Sequence, residues 1–504
     1  MGIPQNRHNF AAFFSVINLP MTTKILCSVA FLALTTATQA QNNGLYSYQD
    51  LSHFYYAKAR DSIRKAWDCP PVFKDKATQK KYKEIWDQRT DALTAMINND
   101  DYVHDKDVYT YVESLVRQIS DANHSLVPQR PFVLIDRSAS VNAYSLGGNV
   151  LAVNLGLITF AQSREELAFV IAHEMSHNIL HHAENAMQQK AAWLSSDEYR
   201  QSLNAVLDSK YERLSRLKKV IENYSFSRNR HQRYHESEAD SLAIVLLKRT
   251  GMPFEASWFL RLDSADMEYQ QPLHHSLSAF FTAYHLPYED IWSERRTHGL
   301  STRTYAFSDT SSIADSLKTH PECVERYNKT RTLSTANAHL TPILASITDK
   351  ANKMLLWNLY SSVSLTPCLY RILRIKDKGN TDTWYDFMLS NVFAGLYYSD
   401  RMLNRFNAIG VIPKEYISRD YYALQTLLEQ IPRESLMQTC RILQDEGFWR
   451  KLPEPEKDLK ALVFTLALDP DSSDRNKARA AHVFFSGNAN SMYCEFAKNF
   501  FTFR

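Results

Sequence analysis

Apolar residues recur at helical spacing in most of the chain, and this pattern gives the first expectations about the fold. Three amphipathic helices are predicted early in the sequence, over 46–67, 80–99 and 107–119. In each segment the apolar positions fall three and four residues apart, with polar residues between them. The first part of the chain is therefore predicted to be helical.

The pattern then changes to that of strands. A short apolar strand is predicted at 132–135. Two alternating segments follow, at 141–146 and 149–154, and the pair Gly147-Gly148 lies between them. Such a glycine pair between alternating segments is typical of a hairpin with a tight turn. A small sheet is therefore expected here.

A long run without proline follows, over 163–193. Ser163 and Glu166 form an S-x-x-E capping box, which places the start of a helix about two and a half turns before His173. The residues that follow this start are strongly apolar, namely Leu167, Phe169, Val170 and Ile171. We expect a helix buried in the core.

Further helices are predicted beyond this run. The segment 183–224 is charged and helical, and a second important helix covers about 232–249, where Gly251 and Pro253 follow its end. The segment 272–318 is irregular and polar, which is typical of a loop or lid.

The last part of the chain, 336–504, is rich in aromatic residues at helical spacing and contains no convincing repeat. The whole sequence has 27 Tyr and 26 Phe but only 12 Gly in 504 residues, so bulky helical cores are expected. The formal net charge of +3 is nearly balanced, which argues against a dedicated nucleic-acid surface. The predicted fold class is α+β and mainly helical.

The N-terminal residues resemble an export signal. Residues 21–40 contain Lys24, an apolar core over 25–34 and a small-x-small site that ends at Ala40. The apolar core is short for a membrane span. We expect export with a mature chain from about Gln41, and residues 1–20 as an over-extended start. An uncleaved signal anchor is the alternative.

The candidate chemistry lies in the long helical run. His173-Glu174-Met175-Ser176-His177 is an H-E-x-x-H motif. Residues four apart share one face of a helix, so His173 and His177 can reach one metal ion, while Glu174 can take a proton from water. The motif also arises by chance in helices. Six cysteines are present without a C-x-x-C pair, so a cysteine zinc site is unsupported.

A zinc site of this type needs a third protein ligand and one open position. A histidine six residues after His177 is excluded, because that position is Ala183. The candidate is a glutamate from the later helix, Glu236 in the sequence His235-Glu236-Ser237-Glu238-Ala239-Asp240. Asp240, four residues on, could accept a hydrogen bond from the outer nitrogen of a zinc-binding histidine.

In order and spacing these residues resemble a known family. It is the gluzincin family of CAAX prenyl proteases, HtpX-type membrane proteases and periplasmic BepA-type proteases (metallopeptidase family forty-eight). The matching residues are Asn142-Ala143-Tyr144, Gly147-Gly148, Gly156-Leu157, Glu166-Leu167, His173-Glu174-Met175-Ser176-His177, His182, Glu236-Ser237-Glu238-Ala239-Asp240, His320-Pro321 and Arg326. The multi-span segments of the first two branches and the repeat domain of the third are not found here, so no substrate is carried over.

The resemblance implies a zincin-like core, with a small hairpin or sheet beside the active-site helix. It implies one zinc ion per chain, bound by His173, His177 and Glu236, with Glu174 as general base and acid.

The resemblance also places His320 near the metal, where it would stabilise an oxyanion or occupy the open zinc position. Arg326 would orient nearby carboxylates or substrate. For both residues, a plain structural role is an equal alternative.

The strand at 149–154 is expected to run along the cleft, where a peptide could add to its edge through main-chain hydrogen bonds. The predicted substrate-binding residues are Asn149, Val150, Leu151 and Ala152.

The predicted function is an exported zinc endopeptidase, periplasmic or extracellular, that acts on polypeptides in envelope protein quality control. Association with a membrane surface or an envelope protein is open. The alternative is a latent or non-proteolytic chaperone or assembly factor on the same scaffold. The predicted domains are a signal peptide (1–40), an N-terminal helical part of the peptidase domain (41–130), the metallopeptidase core (131–335) and a helical C-terminal domain (336–504).

Overall fold

The structure, a computed structural model, describes residues 67–98, 102–103, 105–209, 212, 215, 235–294, 323–469, 474–489 and 491–501. The chain forms two compact units. The described residues of the motif unit lie within 52–265 and 303–352, and those of the helical unit lie within 266–302 and 353–504. The domain boundaries expected from the sequence stay predictions.

The first elements all belong to the motif unit. In chain order they are α1 (Lys76–Asn98), β1 (Tyr102–Val103), α2 (Lys106–Ala122), β2 (Phe132–Asp136), β3 (Ala143–Gly147), β4 (Val150–Asn154), α3 (Leu155–Phe160), α4 (Arg164–Ile179), α5 (His182–Ser195), α6 (Asp197–Leu207), α7 (235–249) and α8 (Ser257–Asp263). The predicted helices at 80–99 and 107–119 match α1 and α2, whereas 46–67 lies outside the described residues except for Trp67.

The remaining helices complete both units. They are α9 (Leu277–Ala283), α10 (Asp290–Ser293), α11 (Cys323–Thr330), α12 (Ala345–Ser361), α13 (Leu365–Asp377), α14 (Thr383–Arg401), α15 (Arg405–Ile409), α16 (Arg419–Gln430), α17 (Arg433–Asp445), α18 (Glu454–Leu468) and α19 (Asp474–Gly487). Short 3-10 helices lie at Ala265–Gln270, Arg331–Leu333, Lys414–Tyr416, Gly447–Lys451 and Cys494–Phe500. The α+β, mainly helical class is confirmed.

A four-stranded sheet lies in the motif unit, in the order β1-β2-β4-β3. Strands β2 and β4 are parallel, and β3 and β4 form the predicted antiparallel hairpin. The turn requires glycine at Gly148, where φ is +56° and a Cβ atom would lie 1.6 Å from the ring of Trp67. The predicted hairpin and its tight turn are confirmed.

The edge-strand role expected for 149–154 is wrong. Strand β4 is bonded on both sides, to β2 and to β3, and all its residues are buried. A continuous apolar run of this kind is typical of a central strand. A peptide therefore cannot add to β4, and among the described strands β3 ends the sheet on the side next to α4.

The capping box begins α4 as predicted. The Oγ of Ser163 accepts a hydrogen bond from the backbone N–H of Glu166, at 3.1 Å. The Glu166 carboxylate accepts from the N–H of Gln162 at 2.8 Å, one residue earlier than in the usual box, and it also pairs with Arg261. These contacts fix the start of the helix that carries the motif.

The proline-free run does not form one continuous helix. Helix α4 ends before Leu180, and His181 adopts a left-handed conformation with φ of +55°. Helix α5 begins at His182. This break changes the direction of the chain and returns His182 towards the last turn of α4.

The helical unit buries many aromatic side chains. Trp357, Tyr370, Tyr385, Phe387 and Phe393 are each at most 1% exposed. Helices α9 and α10 also belong to this unit, so the part of the expected loop that is described, 272–294, contains two short helices. Within the described residues, no helix combines the length and the apolar character needed to cross a membrane.

Candidate metal centre

Two helices of the motif unit carry the predicted metal ligands. Helix α4 presents His173 and His177 one turn apart, and α7 presents Glu236. His173 and Glu236 are buried, and His177 is partly exposed. Because α4 is buried on nearly all sides, its polar side chains need specific partners.

The three side chains converge on one point. The Nε2 atoms of His173 and His177 are 3.1 Å apart. The Glu236 carboxylate oxygens lie 3.3 Å from the His173 Nε2 and 3.6 Å from the His177 Nε2. Zinc bonds of about 2.0–2.2 Å place tetrahedral ligand atoms about 3.3–3.6 Å apart. The two distances to Glu236 lie in this range, and the distance between the histidine nitrogens is 0.2 Å shorter. Two histidines and one glutamate so placed fit a zinc ion, and they leave a fourth position for water or substrate.

The outer nitrogen of His173 has a carboxylate partner. Its Nδ1 lies 2.9 Å from Oδ1 of Asp240. Arg326 of α11 donates to both oxygens of Asp240, at 2.8 and 2.5 Å, and its guanidinium lies over the ring of Phe259. Burial opposes the charge on Asp240, but hydrogen bonds with His173 and Arg326 outweigh it and lower the pKa of Asp240. The arrangement orients the ring of His173.

Glu174 lies beside the ligands and is 5% exposed. Burial raises the pKa of Glu174 to about 7, with His173 acting against this rise and Glu236 adding to it. The backbone N–H of Ser145 in β3 donates a hydrogen bond to the same carboxylate. A carboxyl group with a pKa near neutrality can both accept and return a proton at pH 7.

A second histidine cluster adjoins the first. The Nδ1 atoms of His177 and His182 are 2.8 Å apart. The Nε2 of His182 lies 3.5 Å from the Glu238 carboxylate, and the ring of His235 stacks on that of His182 with centroids 4.2 Å apart. His182 and Glu238 are among the residues that carry the family resemblance, but no role was predicted for either. The signal in the sequence was that both residues lie near predicted metal ligands: His182 is nine residues after His173, and Glu238 is two residues after Glu236.

The other predicted site residues have different outcomes. His320 lies outside the described residues. Asn149 lies in the hairpin turn, where its side chain donates to two backbone carbonyls, and Val150, Leu151 and Ala152 are buried in the central strand. None of these four residues therefore lies in an edge strand beside the metal centre. Sequence reasoning missed Ser145, although it lies in the predicted hairpin.

Comparison with known proteins agrees with this geometry. The model of peptidase family M48 matches residues 106–334. A provisionally named beta-barrel assembly-enhancing protease of Vibrio cholerae is 34% identical over 103 residues, which cover 20% of this chain and 21% of that protein. The beta-barrel assembly-enhancing proteases of Escherichia coli K12 and Shigella flexneri are each 26% identical over 157 residues, 31% of this chain and 32% of theirs.

The chain thus spans a fifth to a third of the length of these relatives. The matched segment contains β2, β3, β4, the motif helix α4, the helix α7 and Arg326 of α11, that is, every described part of the metal centre. This chain therefore contains a peptidase family M48 domain, which the family model matches over residues 106–334.

Proposed function

We propose that this protein is a zinc-dependent endopeptidase. The observation that carries the proposal is the convergence of His173, His177 and Glu236 at separations that suit zinc, with Glu174 directly beside them. The family match supports a metallopeptidase. Zinc itself, the endopeptidase activity and the role of each residue are our inference from the donor set and its surroundings.

The proposed reaction is hydrolysis of a peptide bond. A zinc ion in this site would act as a Lewis acid towards the scissile carbonyl and make a water molecule more acidic. Glu174 would accept a proton from that water as it attacks the carbonyl carbon, and would then deliver the proton to the leaving amine nitrogen. Asp240 and Arg326 would keep His173 in the orientation that presents its Nε2.

We place the substrate on β3 instead of β4. Strand β3 ends the described sheet next to α4, and its Ser145 N–H already faces Glu174. An extended peptide that paired with this strand would lie along the base and the ligand cluster. Pairing through main-chain groups gives affinity with little demand on sequence.

We also propose that the protein is exported and acts in envelope protein quality control. Two observations support this. Residues 21–40 resemble an export signal, and the relatives are named as proteases that enhance beta-barrel assembly. Binding to a membrane surface or to an envelope protein is part of this proposal and needs its own measurement.

The direct test is zinc content together with casein cleavage, measured on the full-length chain. We expect one zinc per chain and cleavage that a chelator abolishes and added zinc restores. One zinc without cleavage would favour the alternative of a latent or chaperone-like protein. Absence of bound zinc would contradict the proposed metal centre.

Zinc binding should release protons. Burial opposes a charge on His173, but hydrogen bonds to Asp240 and Glu236 outweigh it and raise the pKa of His173 to about 10 in the metal-free site. At pH 7.5 the ring is therefore mostly protonated on both nitrogens, and zinc must displace the proton on Nε2. The apparent zinc affinity should therefore rise about tenfold per pH unit between pH 7.5 and 8.5. Competition with a chromophoric chelator at several pH values measures this slope.

Asp240→Asn is the matched control for the pH slope. It keeps a hydrogen-bond acceptor near His173 but removes the negative charge that raises the pKa. The slope should become shallower in this variant. A pH-independent affinity in the wild-type chain would show that His173 is already neutral before zinc binds.

A further inference from the structure

We propose that His182 and Glu238 fix the tautomer of His177, so that His177 presents its Nε2 to the metal. His182 is a positioning residue in this proposal and does not touch zinc or substrate. The inference rests on the proposed zinc centre. It adds a second orienting contact, which acts on His177, whereas Asp240 orients His173.

His177 and His182 are in contact through one ring nitrogen of each. The Nδ1 atoms of His177 and His182 are 2.8 Å apart, which is a hydrogen-bond distance. One proton lies between them, so one nitrogen donates and the other accepts. If the Nε2 of His177 binds zinc, its proton must be on Nδ1. The Nδ1 of His182 is then the acceptor.

This assignment fixes the tautomer of His182 as well. A neutral imidazole that accepts at Nδ1 carries its proton on Nε2. The Nε2 of His182 points towards the carboxylate of Glu238, 3.5 Å away, which is the group expected to attract that proton. Glu238 therefore orients His182, and His182 in turn orients His177.

Burial makes the contact specific. His182 is 7% exposed, and its Nε2 is buried without a hydrogen-bond partner at normal distance in the described structure. The His235 ring stacks on it at an interplanar angle of 11°. The Glu238 side chain is 37% exposed, so water can solvate its charge while it faces the ring. These contacts hold the His182 ring in one plane.

A second metal ion in this cluster is the competing interpretation. Ligand atoms of His182, His235 and Glu238 all lie within 4.8 Å of one another. However, a metal on the Nε2 of His182 would require this nitrogen to lose its proton while Nδ1 accepts from His177. His182 would then be an imidazolate anion. The contact with His177 therefore favours an orienting network over a second metal site.

Three single variants of the full-length chain test the proposal. In His182→Asn the amide oxygen would lie near the position of Nδ1 and could still accept a hydrogen bond from His177. In His182→Gln the amide would instead reach the position of Nε2, so the acceptor for His177 would be lost. His181→Asn is the matched control, because asparagine tolerates the left-handed conformation at this position. The measurements are the zinc dissociation constant, by chelator competition, and the visible bands of the Co²⁺-loaded protein.

We expect His182→Gln to weaken zinc binding about 10- to 100-fold and to alter the Co²⁺ bands. His182→Asn should stay within about threefold of wild type, since it preserves the acceptor. The control should match wild type in both measurements. A smaller loss is expected for Glu238→Leu, which removes the outer carboxylate.

The outcomes separate the two proposals. A wild-type chain that binds no zinc would contradict the proposed function itself. One zinc in wild type, with unchanged affinity and Co²⁺ bands in folded His182→Gln, would overturn the positioning role alone. Two metal ions in wild type, one of them lost in Glu238→Leu, would also overturn it, because His182 would then be a ligand.

Discussion

Replacement of Glu174 by glutamine is expected to leave zinc bound and to lower peptide cleavage about 10²- to 10⁴-fold. Glutamine has nearly the same shape, and its amide oxygen can still accept the hydrogen bond from the Ser145 N–H. It cannot accept a proton from water at neutral pH. The ligands His173, His177 and Glu236 are unchanged, so zinc content should not fall. The effect should therefore appear in kcat and leave the zinc stoichiometry at the wild-type value.

Glu198→Gln is the matched control for this change. Glu198 is exposed in α6, so this variant makes the same chemical change away from the metal centre. Its cleavage rate should equal that of wild type. Cleavage at the wild-type rate by zinc-loaded Glu174→Gln would remove Glu174 from the role of general base. Loss of zinc together with cleavage would indicate that Glu174 supports metal binding instead.

Replacement of Arg326 by methionine should destabilise the motif unit by about 3–5 kcal/mol. The side chains of Arg326 and Asp240 are 9% and 6% exposed, so the change would leave a buried carboxylate without its main cationic partner. The contact of the guanidinium with the Phe259 ring would also be lost. Because Asp240 faces His173, weaker zinc binding should accompany the loss of stability. Hydrogen exchange of peptides from α7 and α11 in increasing urea measures the effect locally.

Lys329→Met provides the comparison on the same helix. Lys329 pairs with Glu325 at 2.7 Å, but both side chains are more than half exposed. Such pairs contribute little, so its change in free energy of unfolding should be within about 1 kcal/mol. Equal effects for Arg326→Met and Lys329→Met would contradict the importance assigned to the buried pair. A second substitution, Asp240→Leu, should recover part of the stability in Arg326→Met, because it removes the isolated charge.

The sequence predicted the parts of the centre that depend on local spacing. His173 and His177 share a face because they are one helical turn apart, and Ser163 marks the helix start through a local hydrogen bond. Glu236 and Asp240 follow the same rule on α7. Their meeting with α4 is a tertiary contact, which the sequence indicated through the need for a third metal ligand and through the resemblance to a family.

The misjudged parts depend on contacts that no local pattern contains. The segment 149–154 was correctly predicted to be a strand, but its place between β2 and β3 depends on a parallel pairing with β2, which no pattern within the segment contains. The contact of His182 with His177 joins residues five apart, which do not face each other on a continuous helix. The contact exists because His181 leaves the helical conformation. A glycine at this position would have predicted such a break, but a histidine does not.

The division of the chain between its two units has a consequence for biosynthesis. Among the described residues, the polypeptide passes from the motif unit to the helical unit at 265–266, is again in the motif unit at 323, and passes to the helical unit a second time at 352–353. Arg326, which anchors Asp240, belongs to the segment that returns to the motif unit after part of the helical unit has been made. A nascent chain that stops before this return would have every metal ligand but lack that anchor. We therefore expect the ribosome-bound intermediate to acquire high zinc affinity only after α11 has emerged, late in translation.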